Sequence, residues 1–90
     1  MISVVIPVYR DAVRARSLVQ SLHTQDLPPG QALEIIVVDD GSGDGSEDVL
    51  QQCANERVRV ITLARNMGRS AARNAGAELA RGEFLAFIDC

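Results

Sequence analysis

The chain has no lysine, no tryptophan, one histidine and two cysteines in 90 residues. Without lysine it holds no P-loop lysine, no Schiff-base lysine and no lysine-dependent receiver switch. All nine basic residues are therefore Arg; against twelve acidic residues they leave a net charge of −3. That balance argues against a nucleic-acid-binding module, which normally shows a basic stripe. Cys53 and Cys90 have no metal-ligand spacing and form no disulfide framework, which points to a reducing compartment. No apolar run reaches the ~18 residues needed to span a bilayer. Met1 to Arg10 lack a cationic n-region and a cleavable h-region, so no signal peptide is read.

What is present is a set of four apolar runs. Ile2 to Ile6 is β-branched and ends at Pro7, and Glu34 to Val38 runs into Asp39-Asp40-Gly41. Val58 to Leu63 shows partial alternation, and Phe84 to Ile88 is the fourth. Their length, Val/Ile content and flanking turn formers favour strands. Three are continuous, as expected of strands buried on both faces of a parallel sheet. The fourth, read as buried, stops two residues short of the last residue, so the chain is expected to be a fragment or a first subdomain.

Between the strands lie helical patterns. Ala15, Leu18, Val19 and Leu22 repeat at helical spacing within 11–24, with Asp11 placed as cap. Val49, Leu50 and Cys53 form an apolar face in 46–55, capped by Asp44 or Ser46. The segment 69–81 offers a small-residue face, Ala72 and Ala75, and Gly82 reads as its stop. Asp26 to Gly30 reads as an ordinary helix-to-strand loop. The order β-α-β-α-β-α-β predicts an α/β fold: a Rossmann-like, mainly parallel sheet flanked by helices, with right-handed crossovers. Ligands in such sheets bind beyond the carboxyl ends of the strands. Four places follow: Pro7 to Arg10, Asp39 to Asp44, Ala64 to Gly68, and Asp89-Cys90.

The second strand end is the richest. Of Asp39 to Asp48, five residues are acidic and three are Gly. A dinucleotide fingerprint is rejected: it needs GxGxxG in the first βα turn, where this chain has no Gly. A calcium loop starting at Asp40 fails at its twelfth position, Gln51, where a bidentate Glu belongs. Two readings stay open. Asp39 and Asp40 can accept N–H groups of a base or hydroxyls of a ribose, with the glycines admitting the ligand to the backbone. Equally, they can cap a turn and favour the next helix N-terminus.

Asp89, at the end of the fourth strand, has the chemistry to ligate Mg²⁺ or Mn²⁺. Arg65, Arg69 and Arg73 share one face if all three are helical. Arg73, among small residues on a sheet-facing side, needs a partner: a buried ion pair or a ligand contact. His23 reads as surface capping and Cys53 as packing.

These residues carry a family resemblance. Val4 to Tyr9, then Ile36 to Ser42 with Asp44-Gly45-Ser46, then Asn66-x-Gly68 with Ala72-Arg73-Asn74-x-Gly76, then Gly82-Glu83 to Asp89, run in the order seen in family-2 glycosyltransferases. The resemblance covers nearly the whole chain and implies the N-terminal half of a GT-A fold, residues 1–90 being a nucleotide-sugar-binding subdomain truncated at the metal motif. It implies a metal-dependent hexosyltransferase moving sugar from a nucleotide-sugar, most often a UDP-sugar, to an acceptor hydroxyl with inversion. Pro7 and Tyr9 would line the nucleoside pocket, Asp40 would contact the base with Asp39 beside it, and Arg73 would lie near the nucleotide. Asp89 looks like the first Asp of the DxD metal motif, with Cys90 in the middle; the cation would be Mg²⁺ or Mn²⁺. The general base lies downstream in the family, so no catalytic residue is named and the chain alone is expected to be inactive. The acceptor would be a glycan, a lipid-linked molecule or a small molecule, and the chain is expected to be cytoplasmic, many relatives working at the membrane face. Arg10 stands where the family commonly has Asn, and Gly43 where it has Thr. Two rivals are a non-catalytic nucleotide-sugar-binding module of the same fold and a nucleotidyltransferase. Pro7 to Asp11 lacks the Gly-rich phosphate loop of the latter.

Overall fold

The computed structural model describes residues 1–24 and 29–89. Four strands and three helices alternate: β1 (Ile2–Val8), α1 (Ala12–His23), β2 (Leu33–Asp39), α2 (Ser46–Gln51), β3 (Val58–Thr62), α3 (Arg69–Leu79) and β4 (Phe84–Phe87). All pairings are parallel and the sheet order is β3-β2-β1-β4. The order reverses direction between β2 and β4, on either side of β1. That is where a parallel sheet opens a crevice at its carboxyl edge.

The continuous apolar runs of β1 and β2 have a simple cause. Successive side chains on a strand point to opposite faces. Val4, Ile6 and Val8 with Ile35 and Val37 pack against Ala12, Ala15 and Val19 of α1 and Leu50 of α2. Val5, Ile36 and Val38 pack on the other face against Ala72 of α3. The small residues of α3 matter here: a Cβ on Gly76 would lie 2.4 Å from Val5 Cγ1, so the helix backbone sits directly on the sheet.

β4 departs from expectation. Phe84, Leu85 and Phe87 are 61%, 44% and 44% exposed, so the fourth strand is an exposed edge rather than a buried strand. The reason is lateral: α3 lies mainly over β1 and β2, and α1 over β1, and the Arg73 side chain over the Phe87 ring leaves most of β4 uncovered. β3, the other edge, is buried at Val58, half-buried from Arg59 to Ile61 and exposed at Thr62.

Helix ends also differ in detail. Asp11 stands at the N-cap of α1 without a side-chain cap bond; its carboxylate lies 3.5 Å from Arg14 Nε. The N-cap of α2 is Gly45 rather than Asp44 or Ser46; Asp44 stands one residue before it and accepts from the Ser46 hydroxyl and amide, which hold its carboxyl below the usual range. α2 is only six residues long, because Asn55 Oδ1 captures the amides of Arg57 and Val58 and turns the chain into β3. α3 stops when Ala80 becomes extended. Gly82 is needed for a different reason from the predicted stop: a Cβ there would meet Ser3 Oγ at 2.6 Å and Met1 O at 2.7 Å. The loop read over 26–30 lies mostly outside the described residues.

A buried polar cluster ties the amino-terminal edge of the sheet together. Glu34 on β2 accepts from Ser3 Oγ (2.7 Å), the Arg81 amide (2.9 Å) and Arg59 Nη2. Arg59 also donates to Leu79 O at 2.6 Å, and Ser3 Oγ accepts from the Gly82 amide at 2.8 Å. Burial pushes the Glu34 carboxyl up; the Arg81 amide, the Ser3 hydroxyl and Arg59 together outweigh it and leave it below the usual carboxylate value. The cluster joins β1, β2, β3 and the turn into β4, at the end of the sheet opposite the crevice.

Candidate functional site

The carboxyl ends of the strands are joined by hydrogen bonds between loops. β1 runs on into Tyr9 and Arg10, and Asp40 N donates to Val8 O at 2.8 Å, carrying the pairing one residue past β2. Asp39 and Asp40 then part company, since neighbours on a strand face opposite sides. Asp39 is buried; its Oδ1 accepts from the Ser42 hydroxyl at 2.5 Å and the Ser42 amide at 3.2 Å, forming the turn that starts the Gly-rich loop. Asp40 turns the other way. Its two oxygens accept the Met67 amide (2.8 Å) and the Gly68 amide (3.0 Å), so it fastens the loop between β3 and α3.

Gly41 lets these loops touch. A Cβ there would fall 2.2 Å from the Arg65 carbonyl carbon and 2.4 Å from Asn66 N. On the opposite side Arg10 holds a left-handed backbone (φ 52°), uncommon for a non-glycine residue. Its amide donates to Ser42 Oγ at 2.8 Å and its Nε to Ser42 O at 3.3 Å. Its guanidinium carbon lies 5.2 Å from the centroid of the Tyr9 ring, a cation–π distance.

Between the β1–α1 loop, Asp40 and the β3–α3 loop lies a cavity of about 340 Å³, lined by Pro7, Val8, Tyr9, Asp40, Asn66, Gly68 and Arg69. That volume is within the usual range for small-molecule sites, ~300–1,000 Å³. Pro7, Tyr9 and Asp40, singled out from sequence, are therefore brought together. Asp39 is not among them; it faces a second cleft with Gly41, Gly43, Gly45 and Thr62.

Arg73 and Asp89 form a neighbouring group. Arg73 Nη2 donates to both Asp89 oxygens, at 2.8 and 2.9 Å, and Arg69 Nη1 lies 3.7 Å from Asp89 Oδ2. The pair is half-exposed rather than buried, because β4 is an edge. Arg73 also lies 5.9 Å over the Phe87 ring. α3 begins at Arg69, so Arg65 is outside the helix and does not share this face; its Nε sits 3.2 Å from Met67 Sδ.

Asn66 and Gly68, named only within the motif run, and Arg69, named only in the row of arginines, also line the cavity. The signal available was positional: they follow the third strand, one of the four strand ends named from the topology. Arg69 connects the cavity to Asp89. His23 closes α1 and lies 3.4 Å from Asn55 Nδ2, and Cys53 packs beside the α1-side core.

The chemistry needed for a divalent ion is present in part. Asp89 is a hard oxygen donor open to solvent, but Mg²⁺ wants six oxygens. Among the described residues no three His, Cys, Asp or Glu side chains converge to hold a metal. Asp40 and Asp44, two positions of the calcium-loop pattern, are turned to Met67–Gly68 and to Ser46 respectively. Asp89 can contribute one ligand, with the remainder supplied by water, by a bound diphosphate or by other protein groups.

Comparison with known proteins places this arrangement. EpsH of Bacillus subtilis (strain 168), named as a glycosyltransferase, is 41% identical over 90 residues, covering 98% of this chain and 25% of that protein. The undecaprenyl-phosphate 4-deoxy-4-formamido-L-arabinose transferase of Pseudomonas aeruginosa (strain LESB58) is 39% identical over 92 residues, covering 99% of this chain and 27% of that protein. Among solved structures, the mannosyltransferase PcManGT from Pyrobaculum calidifontis in complex with GDP-Man and Mn²⁺ superposes with TM-score 0.86 at 25% identity, over 98% of this chain and 26% of that one. TarS 1-349 of S. aureus in complex with UDP-GlcNAc gives 0.80 at 32% identity, over 98% and 26%. The chain thus spans about a quarter of the length of the relatives it matches. The sheet and its flanking helices have the Rossmann-like architecture of the GT-A glycosyltransferases. The family model described as glycosyl transferase family 2 matches residues 3–90, and the chain belongs to that family.

Proposed function

We propose that residues 1–90 form the nucleotide-sugar-binding subdomain of an inverting glycosyltransferase, with a UDP-sugar as donor. The observation that carries this reading is the convergence of Pro7, Tyr9 and Asp40 on one cavity at the carboxyl edge of the sheet. Tyr9, 44% exposed, offers a ring face on which a pyrimidine can stack. Each Asp40 oxygen accepts one backbone amide and keeps a lone pair for a base N–H. Asp39 supports the site from beneath through Ser42. Arg69 in the cavity wall and Arg73 next to it face Asp89, where phosphates of a nucleoside placed on Tyr9 would extend. Two structural relatives are complexes with nucleotide-sugars, which supports the same ligand class.

Asp89 is assigned as one ligand of Mg²⁺ or Mn²⁺, a choice supported by the Mn²⁺ in the mannosyltransferase complex. When bound, such an ion supplies charge neutralisation at the departing diphosphate. The residues of this chain bind and orient the donor. Asp40 is engaged by two amides and Asp89 by two arginines, so neither is assigned as the base for an acceptor hydroxyl. The 90 residues alone are therefore expected to bind without turnover. Relatives such as the undecaprenyl-phosphate transferase favour a lipid-linked or glycan acceptor, met at the cytoplasmic membrane face. No helix among the described residues is long and apolar enough to cross a membrane.

Tyr9 is the only tyrosine and the chain has no tryptophan, so its emission reports on the proposed site directly. Titrating UDP with Mn²⁺, by calorimetry and by Tyr9 emission, is expected to give saturable binding that weakens in Asp40→Ala. A folded wild-type sample showing neither heat nor emission change overturns the reading.

A further inference from the structure

Arg69, Arg73 and Asp89 form a charge cluster whose composition is unusual for a metal ligand at rest. A carboxylate destined for a cation is here saturated by two guanidinium groups, one of them gripping both of its oxygens. Arg69 also lines the nucleoside cavity, so the cluster is continuous with it. Arg73 Nε is a buried donor with no acceptor among the described residues, although buried donors are usually satisfied. Arginine is the chain's one strongly basic side chain, so any phosphate bound by side-chain cations here must be met by Arg.

We propose that Asp89 is a built-in counter-ion that occupies a diphosphate-binding pair, Arg69 and Arg73, and is exchanged for the diphosphate when the donor binds. The proposal rests on the nucleotide-sugar reading and adds to it an order of events within the site. In the free chain Asp89 neutralises the arginines, engaging Arg73 through Nη2 and leaving its Nε without an acceptor among the described residues. When a diphosphate arrives its oxygens take over the two guanidinium groups, and the released carboxylate becomes available to a cation. Magnitudes favour the exchange. The side chains of Arg69, Arg73 and Asp89 are 65%, 36% and 46% exposed, and ion pairs open to solvent contribute little. A diphosphate carries at least two charges and more acceptor oxygens than one carboxylate, so it competes well for a forked donor. Packing of Arg73 against Phe87 keeps the guanidinium in place when its partner changes.

If Asp89 competes with the diphosphate for these arginines, removing it must improve anion binding when no metal is present. Titrating the full 90-residue chain with inorganic pyrophosphate in the presence of a chelator tests it. Asp89→Asn is expected to bind about five- to tenfold more tightly than wild type, the range of a lost exposed ion pair plus one relieved repulsion. Adding Arg73→Gln to Asp89→Asn is expected to abolish that gain. Equal or weaker binding by Asp89→Asn overturns the proposal, as does a gain that survives in the double variant. A measurement on unaltered protein guards against misfolded variants: the Nε–H resonance of Arg73 is expected to move as pyrophosphate is added, and a stationary resonance at saturating ligand counts against the exchange. Neither readout involves a nucleoside. A chain that fails to bind UDP but gains pyrophosphate affinity in Asp89→Asn would overturn the nucleoside reading and leave the exchange standing.

Discussion

Asp40 and Gly68 are 28 positions apart, yet the Asp40 carboxylate accepts the Gly68 amide at 3.0 Å while its other oxygen accepts that of Met67. One buried side chain just past β2 thereby fixes the loop that delivers Asn66, Gly68 and Arg69 to the cavity wall. The site is built by this tether, and a ligand contact from Asp40 would be a second use of the same carboxylate.

Asp40→Asn separates the two uses. The amide group can accept from one of the two backbone N–H groups and must present its own donor to the other. Leaving one buried donor unsatisfied costs about 1–3 kcal/mol, or very roughly 4–20 °C in melting temperature for a domain of this size. UDP affinity is expected to fall more than tenfold. Melting by circular dichroism and calorimetric titration read the two effects separately; unchanged melting would show that the tether contributes nothing.

How much of this was legible in the sequence depends on whether the cause was local. β1, β2 and α1 were readable because their signals, β-branched runs and helical spacing, lie within each segment. The opposite facing of Asp39 and Asp40 follows from strand periodicity alone. Which loop each would meet does not, because the Met67–Gly68 amides are brought there by the path of β3. The exposure of β4 was hidden for the same reason: an apolar run states what a strand prefers, while the helices that could cover it lie over β1 and β2. Gly82 read as a helix stop because its real constraint, contact with Ser3 and Met1, is long-range. The Glu34–Arg59 pairing depends on strand order, which spacing along the chain does not disclose.

Gly41 and Gly43 offer a matched comparison. Both have left-handed φ, +64° and +66°, but an added Cβ meets the Arg65–Asn66 backbone only at Gly41 and open space at Gly43. Gly43→Ala is expected to cost about 1–2 kcal/mol, the left-handed penalty alone. Gly41→Ala carries that penalty plus displacement of the β3–α3 loop, and is expected to lose UDP binding at least tenfold further. Equal affinities in the two variants would mean that the close approach of the loops has no bearing on the site.

Arg10 supports Tyr9 through backbone and side chain at once. Arg10→Gly relieves the positive φ but removes the guanidinium over the ring. The chain is expected to keep or slightly raise its melting temperature, while Tyr9 becomes more open to quenching by acrylamide and UDP binds several-fold more weakly. A cation–π contact at a partly exposed site contributes about 0.5–1 kcal/mol, a two- to fivefold effect. Arg10→Lys, which returns a cation without the planar fork, is expected to recover only part of it. Identical quenching in all three proteins would remove Arg10 from the support of the site.

Glu34 sets the response of the fold to acid. Burial alone would raise its carboxyl, but the Arg81 amide, Ser3 hydroxyl and Arg59 guanidinium bring it below the ordinary 4.5. Because the folded form binds the proton less readily than the unfolded chain, ionised Glu34 stabilises the fold fully above the ordinary value. That contribution is lost as pH falls through the lowered folded value. Wild type is therefore expected to lose melting temperature as pH drops below about 4.5, the reference value from which Glu34 is lowered. Glu34→Gln keeps the shape but leaves Arg59 beside a neutral amide. It is expected to melt lower at pH 7, by an amount equivalent to about 1–3 kcal/mol, and to change less with acid. The difference between the two melting curves should then shrink steadily from pH 5 to pH 3; a difference that stays constant across that interval would show that Glu34 ionisation is not linked to folding.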